Sequence, residues 1–355
     1  MILNQVLNIV MFSMLAAMLL LPFNKQSKEN CCLDIQNMNV LKGLSCILVI
    51  VSHISLQLGS SGILVLTSSV GYLAVGIFFF SSGYGLMYSF INKENYLKNF
   101  IRHRILKILL PFWIANIIFL LVYIVGYKEH YALLDVIKYI FGIKLICGHA
   151  WFIVFLICFY CLFWIFGKVL KKDDYIIIAM AIFTLLISVL IGFQIIKYGD
   201  FGKNILAFPI GMISARYKGE TRKLIDRRFW RISLLSTIIF CITYSYYTVI
   251  KWHIGMANNL LVNYFVDFIC QISFIIMLLM FVQKINVKSK VTLLVSGISY
   301  EVYLVHQLGL DFAKRMLRNS YDAFIIVTGI ILSILIGLVF NKVMKKIWSI
   351  QNVNR

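Results

Sequence analysis

Several ionisable residues stand inside apolar sequence, and three of them could form a site. His53 closes "LKGLSCILVIVSHI" (41–54), and Glu301 and His306 lie within "SYEVYLVHQLGL" (299–310). A charge at the bilayer centre costs roughly 2.5–3.5 kcal/mol, so such groups face a protein interior or water and mark functional sites. An imidazole titrates near pH 6.5 when unperturbed, and burial favours its neutral form. A neutral buried imidazole can take the proton of an alcohol while that alcohol attacks an acyl carbon. Lys42 precedes His53 by roughly 16 Å of helix, and half a bilayer core is roughly 15 Å. With Lys42 at one surface, the His53 ring lies near the midplane. A lone serine or glutamine in such a run reads as interhelical glue. Convergence of His53, Glu301 and His306 in one cavity would read as a site.

A second group is cationic. "NFIRHRILKILLPFW" (99–113) gathers Arg102, His103, Arg104 and Lys107 where the chain enters an apolar run. Membrane anchoring accounts for part of this. Arg104 and Lys107, three apart on one helix face, could with Lys42 also hold a phosphorylated donor, for which the planar guanidinium fork is suited. The sequence contains no G-x-x-x-x-G-K-S/T loop for nucleotide hydrolysis. It has no H-E-x-x-H pair and no dense Cys/His cluster, so no metal site is expected. Cys158 and Cys161 form a C-x-x-C, but inside an apolar, helix-like run where redox chemistry is not expected. In "VGYLAVGIFFFSSGYGLMY" (70–88) the small residues suit close helix packing, and Ser82 and Tyr84 are candidates to line a cavity. His149, followed by Trp151, stands at the mouth of another run.

The elements that must position these residues are membrane spans. Of 355 residues, 61% are hydrophobic and 14% charged, too little polar surface for a soluble protein of this length. Runs long enough to cross a bilayer fall near 3–23, 41–60, 64–91, 105–126, 149–168, 175–196, 202–217, 229–250, 259–283, 291–311 and 323–344. The run at 202–217 is marginal against the roughly 20 residues a span needs. Segment 131–147 is too short and too charged, and reads as an amphipathic surface helix. Residues 1–23 lack a basic leader and a small-residue cleavage site, so they read as a retained span.

The net charge is +20. Its distribution points to lipid topology and away from a nucleic-acid partner. Most lysines and arginines fall in alternate loops, on the side of Lys42, Arg102, Lys168, Arg222, Lys284 and Lys342. By the positive-inside rule that side is cytoplasmic, which places the N-terminus outside and the C-terminus inside.

In order, these residues resemble the acyltransferase-3 family of integral membrane acyltransferases. Lys42, Gly43 and His53 match its opening element, a basic residue followed by Gly, with His ten intervening residues after the basic one. "GIFFFSSGYGL" matches an aromatic run ending in Ser-Gly-Tyr. "RILKILLP" resembles the Arg-x-x-Arg element, with Lys107 in the second basic place. His149, Trp151, Phe152 and Tyr160 match a His-x-Trp-Phe element with a following Tyr. Ser299, Tyr303, Leu304 and His306 match Ser-x-x-x-Tyr-Leu-x-His. Two features depart from the pattern: Lys107 replaces arginine, which weakens bidentate phosphate binding there, and "WFIVFLICFY" lacks the glutamate many members carry. An acid partner must then come from elsewhere, and Glu301 is the candidate.

The resemblance implies an all-α polytopic transmembrane helix bundle, ten family spans plus one extra N-terminal span. Its division is 1–35 for the added span and loop, 36–345 for the acyltransferase domain and 346–355 for a short cytoplasmic tail. It implies an O-acetyltransferase of the bacterial plasma membrane. Acetyl-CoA would be the donor substrate, held by Lys42, Arg102, Arg104 and Lys107 with Ser82 and Tyr84 nearby, and no cofactor is permanently bound. His53 would be general base or transient acyl carrier, with Glu301 and His306 also catalytic. A cell-surface or lipid-linked glycan would approach past His149, Trp151, Tyr160 and Tyr303. The chain ends soon after the last span, so the expectation is that the bundle alone serves the acceptor. The alternatives are a transporter or flippase of lipid-linked glycans, and an acyltransferase using succinyl-CoA.

Overall fold

The structure is a computed structural model that describes residues 2–20, 23–25, 31–59, 62–170, 172–193, 195, 204–287 and 290–353. Lys28, Lys171, Lys288 and Arg355, expected in the basic loops and tail, lie outside them, as do the ends of the 3–23, 175–196 and 202–217 runs. The first helices are α1 (Ile2–Leu20), α2 (Ile35–Gln57), α3 (Leu64–Ser68), α4 (Val70–Asn92), α5 (Leu106–Leu121), α6 (Leu133–Phe141) and α7 (Trp151–Val169). There follow α8 (Asp173–Gly192), α9 (Ala207–Arg216), α10 (Lys218–Ser245), α11 (Lys251–His253), α12 (Leu260–Lys284), α13 (Lys290–Gly297), α14 (Ser299–Met316) and α15 (Asp322–Val353). Wide π turns precede α5 at Ile101–Ile105 and follow it at Val122–Gly126. Two short strands, β1 (Phe23–Lys25) and β2 (Ile285–Val287), pair antiparallel.

The class is all-α, as composition requires: in lipid a helix satisfies every backbone group within the segment. Among the described residues eight stretches are long and apolar enough to cross a membrane. They are Ile35–Gln57, Leu64–Asn92, Ile101–Gly126, Gly148–Val169, Asp173–Gly192, Lys218–Ile250, Leu260–Lys284 and Asp322–Ile350. The chain is a multi-pass membrane protein.

The helices gather into two compact units. Unit 1 comprises Met1–Glu94 and Leu170–Gly297. Its core holds Leu41, Ile47 and Ile50 of α2, Phe79 and Phe80 of α4, and Phe208 of α9. Helices α4 and α9 meet backbone to backbone. A side-chain carbon on Gly83 would overlap the Phe208 carbonyl oxygen, and one on Gly211 would overlap that of Phe80. Gly83 of "SSGYG" and Gly211 of "PIGM" are therefore needed for packing. Asn204 Nδ2 donates to Tyr72 O (2.9 Å), and Gln271 Nε2 to Leu73 O (3.1 Å). At the start of α2, Asp34 accepts from Lys218 Nζ (2.8 Å) and from the Cys31 amide (2.7 Å).

Unit 2 comprises Asn95–Val169 and Ile298–Arg355. Phe100, Phe112, Phe119, Phe159 and Phe163 fill its interior. Tyr300 Oη donates to Ile108 O (2.7 Å), joining α14 to α5. Helix α6 has no buried residue. Gly142, at φ +75°, ends it in the left-handed conformation that glycine allows. Asn116 Nδ2 serves its last carbonyls, Tyr139 O (3.0 Å) and Ile140 O (3.1 Å).

Three expectations are corrected. The run 291–311 is not one continuous helix: the chain leaves helical geometry at Ile298 (φ −129°, ψ 17°), and α13 and α14 fall in different units. The basic stretch from Lys218 is not a loop but the first turns of α10, broken at Arg228 (φ −124°, ψ 22°), after which the apolar part begins. Lys42 is not at the start of its helix, because α2 begins at Ile35, two turns earlier. Residues 346–353 continue α15.

Candidate functional site

Unit 2 brings together three residues from two of the sequence elements. A single 3₁₀ turn, Gly148–Ala150, presents His149 at the head of α7. Tyr303 and His306, three apart, share one face of α14 and are both buried. The His149 and His306 ring centroids are 4.5 Å apart, and the His149 and Tyr303 rings meet edge-on at 5.7 Å. Tyr303 Oη donates to His149 O at 2.7 Å. Phe152 packs on Tyr303 (5.2 Å) and Phe119 on His149 (6.5 Å).

The hydrogen bonding fixes the chemistry of His306. Its Nδ1 lies 2.7 Å from Tyr303 O. A carbonyl oxygen can only accept, so Nδ1 carries the proton, and in the neutral ring the lone pair belongs to Nε2. Ser333 Oγ of α15 donates to His306 O (3.0 Å), holding the backbone that carries the ring.

Glu301 and His306 do not point the same way. Five residues turn a helix by roughly 140° and advance it by roughly 7.5 Å. The Glu301 carboxylate instead accepts from Asn341 Nδ2 of α15 (3.0 Å). Ser333 and Asn341 were not singled out in the sequence. The signal was present, because two polar residues eight apart in an apolar helix share a face. Trp151 is buried and meets Phe155 (6.0 Å). Tyr160 lies roughly 14 Å farther along α7, beside Phe100 (6.1 Å), so it does not join His149.

Unit 1 carries His53, Lys42, Ser82 and Tyr84. Lys42 and His53 stand on one uninterrupted helix, α2. A side-chain carbon on Gly43 would come within 2.6 Å of Thr292 O, so the backbone at Lys42 lies against α13. Ser52 Oγ donates to Ser68 O (2.5 Å), fixing the turn that holds His53. Tyr84 is buried against Tyr88 (5.8 Å, nearly parallel). Ser82 is half-buried.

Arg102, Arg104 and Lys107 belong to unit 2. The two arginines lie in the π turn before α5, a geometry frequent at functional sites. Arg102 and Lys107 are exposed, while Arg104 lies over the Tyr96 ring (5.5 Å). The turn thus displays cations at the end of a long apolar helix, suited to an anionic ligand.

Spans, a buried imidazole and a cationic turn define the class: a multi-pass membrane protein with acid–base groups among its helices. A family model described as an acyltransferase domain matches residues 35–342. The chain belongs to this family, acyltransferase-3, and is thereby a membrane acyltransferase. No curated protein and no solved structure matches it.

Proposed function

We propose that the protein moves an acetyl group from cytosolic acetyl-CoA to a hydroxyl of an extracytoplasmic or lipid-linked cell-surface polysaccharide. It does so in the bacterial plasma membrane, with its N-terminus outside and its C-terminus inside. Lys42, Arg102, Arg104 and Lys107 bind the donor phosphates, with Ser82 and Tyr84 along the acyl arm. His53 is the general base. It takes the hydroxyl proton as the sugar oxygen bonds to the thioester carbonyl carbon. The C–S bond breaks, CoA leaves as thiolate, and the thiolate is then protonated. Glu301, its carboxylate fixed by Asn341, is the candidate acid of the reaction. His306 orients the acceptor by accepting a hydroxyl hydrogen bond at Nε2, and His149, Trp151, Tyr160 and Tyr303 line the acceptor side.

The observation that carries a hydroxyl acceptor is the fixed His306 ring. Its Nδ1 bond to Tyr303 O makes Nε2 the accepting nitrogen, the complement of an O–H donor. The test is radiolabelled acetyl transfer in membranes holding wild type or His53→Ala. Loss of labelled glycan at unchanged protein level supports the reading. Labelled product in the variant at the wild-type rate, or glycan export with no acyl product from either, rejects it. Running succinyl-CoA beside acetyl-CoA identifies the donor.

A further inference from the structure

At one end of unit 2, the last turns of α14 and the π turn after α5 border a cavity of about 620 Å³. Lys314, Arg315 and Arg318 line it, facing Tyr123 and Tyr127. Glu129 and Asp311 add two carboxylates, so the wall is net cationic. Cations in the last turn of a helix complement its dipole. That accounts for Lys314 and Arg315 but not for Arg318, which lies beyond the end of α14. In the orientation proposed above this end faces outside, where the positive-inside rule disfavours lysine and arginine. Three in five residues therefore call for a function.

The opposite wall supplies one. The Tyr123 and Tyr127 rings are stacked, 5.4 Å apart at 24°, and the Arg315 guanidinium lies 3.5 Å from the Tyr127 centroid. Tyr127 Oη is buried without a hydrogen-bond partner among the described residues. An unmet buried hydroxyl beside guanidinium groups suits a polyhydroxylated anion. Ring contacts lead from the cavity to His149: Tyr127 to Tyr123, Tyr123 to Phe119 (5.9 Å) and Phe119 to His149 (6.5 Å). On α14, Gln307 Nε2 donates to Asp311 Oδ1 (2.9 Å), one turn beyond His306.

The geometry points to this cavity as the binding site for an acidic sugar of the acceptor chain, its anion on Arg315 and Arg318 and its ring face against Tyr123 and Tyr127. The inference rests on the reading above for its orientation and for a glycan acceptor. A carboxylate and a phosphate ester both fit a guanidinium fork, so both are tested.

The full chain in phosphatidylcholine nanodiscs is titrated with trigalacturonate, maltotriose phosphate and neutral maltotriose, with binding read by thermophoresis. At least one acidic sugar binds about tenfold more tightly than maltotriose. The carboxylate and phosphate arms show which anion is preferred. Arg315→Gln with Arg318→Gln abolishes the preference. Arg318→Gln alone, at an exposed position, reduces it and keeps the test decisive where the double variant does not fold. Equal binding of all three sugars, or a preference that survives in a folded variant, overturns the proposal. Competitive displacement of the acidic sugar by phosphatidylglycerol added to the discs also overturns it and reassigns the cavity to a lipid headgroup. Binding is read without acyl transfer, so this result and the fate of the acetyl chemistry are separable.

Discussion

A backbone carbonyl selects the tautomer of His306. Tyr303 O takes the Nδ1 proton at 2.7 Å, and Ser333 holds the next carbonyl of that turn through His306 O. The ring is thus set by the helix that carries it. His306→Asn keeps an amide donor near Tyr303 O and removes the Nε2 lone pair. We expect it to raise the apparent KM for acceptor about tenfold or more, with little change in donor KM, measured by acetyl transfer at varied acceptor concentration. His53→Ala, by contrast, should lower kcat by roughly 10²–10⁴, the span of general-base catalysis. Equal losses in acceptor KM for both variants would collapse the two roles into one. The sequence carried His149, Tyr303 and His306 as separate motif members. Their meeting depends on a 3₁₀ turn and a helix rotation that no local pattern encodes. It was equally silent on the partner of Glu301, Asn341, which lies 40 residues away on another helix.

Between elements, close approach decides what may be changed. Gly83 touches the Phe208 carbonyl of α9, whereas a side chain on Gly85, two residues on, would meet nothing within 4 Å. Gly83→Leu should therefore lower the melting midpoint sharply or abolish folded yield, since overpacking costs roughly 1–3 kcal/mol or more. Gly85→Leu should fold at near wild-type yield; fluorescence-detected size exclusion of both variants makes the check. The tie between α2 and α10 answers to pH. Burial alone would raise the Asp34 carboxyl, but the hydrogen bonds from Lys218 and the Cys31 amide outweigh it and hold the group below the usual carboxylate range. Its contribution is therefore complete above the unfolded value, near pH 4, and is lost as pH falls through the lower folded value. For a partly exposed pair that is roughly 0.2–1 kcal/mol. Wild type should melt above Asp34→Asn at pH 7, with the gap closing on acidification towards pH 3. Helix existence was legible in the sequence because apolar length alone selects it in lipid. The breaks were not: "VTLLVSGISYEVYLVHQL" runs on through Ile298 with only Gly297 as a hint, and Arg228 breaks α10 without glycine or proline.

For the whole molecule, charge and depth have to agree. In the proposed orientation the cations at Arg102, Lys107, Arg222 and Lys223 would face the cytoplasm, while Lys314, Arg315 and Arg318, at the close of α14, would face outside. An acyltransferase that takes donor from one side and serves acceptor on the other needs this asymmetry. The inner set would meet the donor's phosphates, and the outer set a surface polymer. The two sets can be told apart in cells. With the native cysteines replaced, Lys223→Cys and Arg318→Cys each place a thiol at an exposed position. A membrane-impermeant maleimide added to intact cells should label the Arg318 position and leave the Lys223 position unmodified until the cells are opened. The reverse pattern would put the Arg315–Arg318 cavity in the cytosol. That cavity would then be the natural seat of the donor's phosphates, and acceptor entry would have to be sought at the end of the molecule bearing Arg102 and Lys107.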